Sequence, residues 1–130
     1  MAVVRFTADN AALLLIDHQV GTMQLIKNID SDLAAKQSIA LAKMAKILNM
    51  PVVITSSQED QAQGPILPEI AQVLPDAYAA RVKRPGVVNA WEYPDFHNAV
   101  LATGRKNLIM AGVTTDVCLI SVSYTHLTLP

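Results

Sequence analysis

The feature that most constrains this chain is a pair of short, unbroken apolar runs, each stopping beside a residue able to do chemistry. Ala11-Ala12-Leu13-Leu14-Leu15-Ile16 has no polar interruption and stops at Asp17. Leu108-Ile109-Met110-Ala111 stops at the turn Gly112–Asp116, just ahead of Cys118. A strand with one wet face alternates polar and apolar residues, whereas a run without alternation fits a strand covered on both faces, as in a parallel sheet. Neither run reaches the roughly 18 residues of a membrane span, so no membrane association is expected.

The segments between these runs read as helices. Asp30 or Ser31 caps a helix running to about Leu48, with an apolar stripe of Leu41, Met44, Ile47 and Leu48. Lys36, Lys43 and Lys46 fall opposite that stripe, and Asn49 and Pro51 bracket the end. Pro51–Thr55 reads as a second strand and Ser56–Leu67 as a polar loop. Pro68 opens a short helix burying Ile70, Val73 and Leu74. Ala79–Lys83 is a third, weaker strand, followed by a loop over Arg84–Tyr93. Pro94 opens a helix with Phe96, Ala99 and Val100 inward and Gly104 as its stop, and another helix begins near Val117. Strands alternating with helices predict an α/β fold, a three-layer α/β/α sandwich around a central parallel sheet of the Rossmann-like kind.

In such sheets the sites lie beyond the carboxyl ends of the strands. That rule points to the residues after Ile16, Thr55, Val82 and Ala111. Asp17 follows the first strand directly. Cys118 falls in the first turn of the last helix, with Thr115 as the expected cap, where helix dipole and free amides favour a thiolate. A carboxylate facing that thiol could take its proton and later return it to a leaving group. Lys83 and Arg84 end the third strand and supply a cation.

These residues resemble the isochorismatase-like superfamily of cysteine hydrolases, in its YcaC-like branch. Leu14-Leu15-Ile16-Asp17-His18-Gln19 is similar to the family's strand followed by Asp-x-Gln, and Gly112–Cys118 to its nucleophile turn. Arg84-Pro85-Gly86-Val87-Val88-Asn89-Ala90-Trp91 is similar to a loop of that branch. The resemblance implies an Asp, cation and Cys triad of Asp17, Arg84 and Cys118, with Lys83 as the rival cation. It implies a cis peptide before Thr114, aiming the Thr114 and Cys118 amides at one oxyanion. It also implies a hydrolase acting on a small, amide-like carbonyl substrate and a homo-oligomer. Gln19, Asn89 and Trp91 are the candidate substrate contacts. The family's nicotinamidase branch holds a metal with histidines after the second strand. Here that stretch is Ser56-Ser57-Gln58-Glu59-Asp60, so no metal is expected.

The resemblance is read as stopping near Leu119. The hydrolase domain is therefore expected over 1–120, truncated after the fourth strand. Residues 121–130 are expected to be a non-native or out-of-frame tail rather than the family's next helix.

Each assignment has a plainer counterpart. A lone cysteine is by default buried and inert. Asp17 could be a loop carboxylate, Lys83 and Arg84 solvated charges, and Trp91 a core aromatic. His18 falls opposite Asp17 by strand alternation and reads as packing or surface. His97, on a helix, and His126, in the tail, carry no assigned role. A catalytically inactive fragment, serving only as an oligomerising or binding module, is the alternative to an enzyme. The net charge of −1, with 10 Lys and Arg spread along the chain, offers no nucleic-acid patch. No Gly-x-Gly-x-x-Gly follows the first strand, so no dinucleotide or other cofactor is expected. One cysteine allows no internal disulfide, which together with the absence of a signal-like start suggests the cytoplasm.

Overall fold

The structure, a computed structural model, describes residues 3–128. Four strands, β1 (Ala11–Ile16), β2 (Val52–Ser57), β3 (Val82–Arg84) and β4 (Asn107–Gly112), form one sheet in the order β3-β2-β1-β4. Every pairing is parallel. β1 is fully buried along its length, as its unbroken apolar run requires. Leu13 and Leu15 face one helical layer with Ile54, and Leu14 and Ile16 face the other with Val53 and Val82. Each such leucine contributes about 1.5–3 kcal/mol on burial.

The first layer holds α1 (Val20–Met23), α2 (Ser31–Ile47), α3 (Pro68–Val73) and α4 (Pro75–Ala79). The Asp30 carboxylate caps α2 by accepting from the Asp32 amide. The buried face of α2 is Ala42 and Ala45, with Leu41 and Met44 beside them. Ile47, expected on that face, is 81% exposed and Leu48 is also exposed, because the helix rests on the core along Ala42 and Ala45 instead. Asn49 takes a left-handed φ of 52° to end the helix.

The second layer holds α5 (Pro94–Ala102) and α6 (Ile120–Thr128), with a 3₁₀ turn at Ala90–Glu92. The last helix belongs to this layer. Ile120–Thr128 is helical, buries Val122, and ties back through Asn89 Nδ2 donating to Thr125 Oγ1. Leu129 and Pro130 lie outside the described residues.

The chain runs outward from β1 through β2 to β3, then crosses back to place β4 on the other side of β1. The order reverses between β1 and β4, and a crevice opens at the carboxyl ends of strands at such a reversal. Ile16 pairs with Gly112 there and with Thr55 on its other side.

Candidate active site

Asp17 leaves β1 with a φ of 60°, a left-handed conformation that Asp tolerates better than most residues. This turn directs the carboxylate into the crevice, where it is 2% exposed. Arg84, at the end of β3, reaches past β2 to meet it. Its Nη1 donates to Asp17 Oδ1 at 2.8 Å and its Nη2 to Oδ2 at 3.0 Å. Further bonds from Arg84 to the Val87 carbonyl, the Thr55 hydroxyl and the Ser56 carbonyl hold the fork in place. The two-residue period of a strand sets the two neighbours apart: Arg84 is buried and Lys83, one position earlier, is exposed.

Cys118 enters from the other side. β4 ends at Gly112, where a Cβ would stand 2.9 Å from the Leu119 Cβ, so only glycine lets the following turn fold down. Thr115–Leu119 then forms a single π turn. Thr114, not Thr115, precedes that turn, and its hydroxyl donates to Cys118 Sγ at 3.3 Å rather than capping a backbone amide. The expected pair of oxyanion amides is not arranged as foreseen. No cis peptide occurs among the described residues, so the Val113–Thr114 bond is trans, and the Cys118 amide donates to the Thr114 carbonyl at 3.0 Å.

The electrostatics also differ from the simple helix-start expectation. The Cys118 thiol is pushed up to about 11, first by burial and then by hydrogen bonding to Asp17, with the Asp17 charge adding to both. The Thr114 hydrogen bond and the Arg84 charge oppose this and are outweighed. A carboxylate already beside the sulfur disfavours a second anion, and the cation that would offset it is committed to Asp17. The resting pair is a thiol facing a carboxylate.

Asp17, Arg84, Thr114 and Cys118 line a cavity of about 240 Å³ with Leu25 and Val88 among its apolar walls. A larger groove of about 520 Å³ lies alongside, but it contains no thiol, and the smaller cavity is the one with chemistry in it.

The other sequence candidates hold the walls. Gln19 is fully buried: its oxygen accepts from the Ser57 amide and its nitrogen donates to the Ser57 and Gly64 carbonyls. Both amide hydrogens are engaged, so it braces the loop after β2 instead of offering a donor to a substrate. Asn89 is likewise engaged, by Thr125 and by the Trp91 amide. Trp91 is 6% exposed and packs against Phe96, His97 and His126, away from the cavity. Sequence reasoning missed Thr55, Gln58 and Gln63. The rule about strand ends already pointed just past Thr55, but an exposed polar loop gave no sign of which side chains turn inward.

A parallel sheet with an acid, an arginine and a thiol gathered at its reversal point defines a class, and the sequence agrees. The chain belongs to the isochorismatase family: the isochorismatase domain model matches residues 11–126. That match passes Leu119, where the resemblance was read as stopping, and reaches His126. Among the relatives is the probable hydrolase YcaC of Escherichia coli strain K12, 44% identical over 115 residues, which are 88% of this chain and 54% of that protein. The chain thus spans about half the length of that curated relative. The crystal structure of the Escherichia coli YcaC gene product, described as an octameric hydrolase of unknown specificity, matches with a TM-score of 0.91 at 40% identity, over 98% of this chain and 61% of that one. YcaC from Pseudomonas aeruginosa, with hexane-2,5-diol and covalent acrylamide, matches with a TM-score of 0.92 at 39% identity, over 98% and 62%.

Proposed function

We propose that the protein is a hydrolase of small amides in which Cys118 is the nucleophile, Asp17 the proton shuttle and Arg84 the cation that holds Asp17 in place. The observation that carries this reading is the thiol and the carboxylate sharing one cavity, the carboxylate fixed by a two-pronged arginine. As Sγ attacks the carbonyl carbon, its proton passes to Asp17, so no free thiolate is needed beforehand. The carbonyl π electrons move onto oxygen, and the Thr114 backbone amide is the candidate donor to that oxyanion. Collapse of the intermediate expels the amine, which takes the proton from Asp17. Water then gives a proton to Asp17, attacks the thioester and releases the acid, and the thiol is regenerated.

A covalently bound acrylamide in the Pseudomonas aeruginosa relative supports a site that receives a small amide and reacts with carbon electrophiles. The octameric Escherichia coli relative supports a homo-oligomer here too. A mechanism that needs a free thiol suits a reducing, cytoplasmic setting.

The test is hydrolysis of a panel of small amides by the complete protein, read as released amine. Cys118→Ala and Asp17→Asn should each lower kcat/KM by about a thousandfold or more. Turnover retained in either variant, on an amide the parent hydrolyses, would sink the mechanism.

A further inference from the structure

Two cavities meet at Gln58. The inner one holds Cys118 and measures about 240 Å³, below the roughly 300 Å³ at which pockets for drug-sized ligands begin. The outer groove, bounded by Glu59, Lys83, Pro85 and Tyr93, measures about 520 Å³. Only Gln58 and Arg84 line both. Arg84 is immobilised by its hydrogen bonds to Asp17, Thr55 and the Ser56 and Val87 carbonyls. That leaves Gln58 as the part of the boundary a substitution can remove.

Gln58 is held there by three features. Its backbone takes a φ of 46°, which turns the chain at the end of β2. Its Oε1 accepts from Gln63 Nε2 at 3.0 Å. Its side chain lies on Gly86, where a Cβ would stand 3.1 Å from Nε2 and 3.2 Å from Cδ. Any larger residue at 86 would push the amide away. The side chain, itself exposed, thus lies between the loop after β2 and the loop after β3, which the Gln58 amide joins by donating to the Arg84 carbonyl at 3.0 Å.

We propose that Gln58 is a specificity-determining residue, the partition that limits the length of substrate the Cys118 cavity accepts. With the side chain in place, a group extending from the reacting carbonyl toward the groove meets Gln58. Without it, the cavity runs on into the groove beside Lys83 and takes an elongated substrate. The proposal rests on the reading of Cys118 as the reacting residue, but its test does not require turnover.

Cys118 is the only cysteine, so alkylation can be followed by mass on the intact protein. The probes are acrylamide and N-hexylacrylamide, each rate divided by that for free cysteine. The thiol adds across the carbon–carbon double bond, sulfur to the terminal carbon and proton to the inner one, with no other reactant. The parent should favour acrylamide by about tenfold or more, the scale on which a pocket rejects surplus methylenes. Gln58→Gly, which suits a positive φ, should abolish that preference by speeding the longer probe alone. Gln58→Asn, shorter but tolerant of the same backbone, should fall between. Equal relative rates in the parent, a variant that speeds both probes alike, or failure of either probe to label either protein would each overturn the proposal. Hydrolysis lost on Cys118→Ala reports on the mechanism and the probe ratio on the partition, so the two ideas fail separately.

Discussion

At the residue scale, the chemistry turns on a thiol that rests protonated. Burial and the neighbouring Asp17 push Cys118 up to about 11, so its alkylation by iodoacetamide should keep accelerating above the ordinary value of 9.0 instead of levelling there. Asp17→Asn removes the negative charge and one of the two accepting oxygens, so the midpoint should fall while hydrolysis disappears. More thiolate with less turnover is the signature of a carboxylate acting as base; an unchanged midpoint would mean that the carboxylate does not act on the thiol. His18, one residue on, behaves oppositely to a switch. It is 3% exposed, its Nδ1 has no partner among the described residues, and burial lowers it from 6.5 to about 4 against the attraction of Asp17. The unfolded chain takes up a proton below 6.5 that the fold refuses. The associated stability is present above that pH and is lost as pH falls toward 4. Between about pH 7 and pH 5 this single group should remove about 2 kcal/mol. Urea titrations at the two pH values check it, and His18→Asn should lose that part of the pH dependence while keeping the part due to carboxylates.

At the scale of elements, the site depends on the loop after β2 being laced to the turn after β1. The Gln19 side chain does this with one acceptor and two donors, and Gly21 permits it, since a Cβ there would lie 1.8 Å from the Ala62 carbonyl oxygen. Gln19→Glu keeps the shape but sets a fully buried carboxylate against two carbonyls. It should cost about 3 kcal/mol or more in urea unfolding, and a variant as stable as the parent would show that the loop holds without the brace. This lacing explains what the sequence could and could not reveal. The unbroken run of β1 puts Asp17 at a strand end, because burial on both faces is a local consequence of residue type, whereas the choice between Lys83 and Arg84 hangs on a register of one residue that the sequence leaves open. Gln19, Asn89 and Trp91 are candidate substrate contacts on sequence alone, because they flank the chemistry there. Their partners, Ser57, Gly64, Thr125 and His126, lie far along the chain, and only the assembled layers bring them in. The exposed Ile47 fails for a related reason: a helical period marks a stripe, but the alanines at 42 and 45 decide which edge of it touches the sheet.

At the scale of the whole molecule, two neighbouring surfaces invite a second copy of the chain. β4 pairs with β1 on one side only and is half-buried throughout, so its outer backbone edge has no strand partner among the described residues. α6 packs over that strand and buries Val122, yet carries Ile120, Tyr124 and Leu127 outward at 54%, 70% and 80% exposure. Their spacing of four and three puts them on one helical face, and such a stripe is ordinarily covered. A net charge of −1 provides little repulsion to keep copies apart. Unpaired strand edges and apolar helix faces both favour association, and the Escherichia coli relative is described as octameric. The 130-residue chain is therefore expected to elute from a sizing column as a concentration-dependent oligomer, with mass from light scattering above the 14.0 kDa of one chain. Leu127→Glu separates the two surfaces. If the α6 stripe makes the contact, a buried charge there should shift the distribution to monomer; if the β4 edge makes it, the variant should elute as the parent does, because the substitution leaves the strand's backbone untouched. A parent chain that stays monomeric across the whole concentration range would show that neither surface needs a partner.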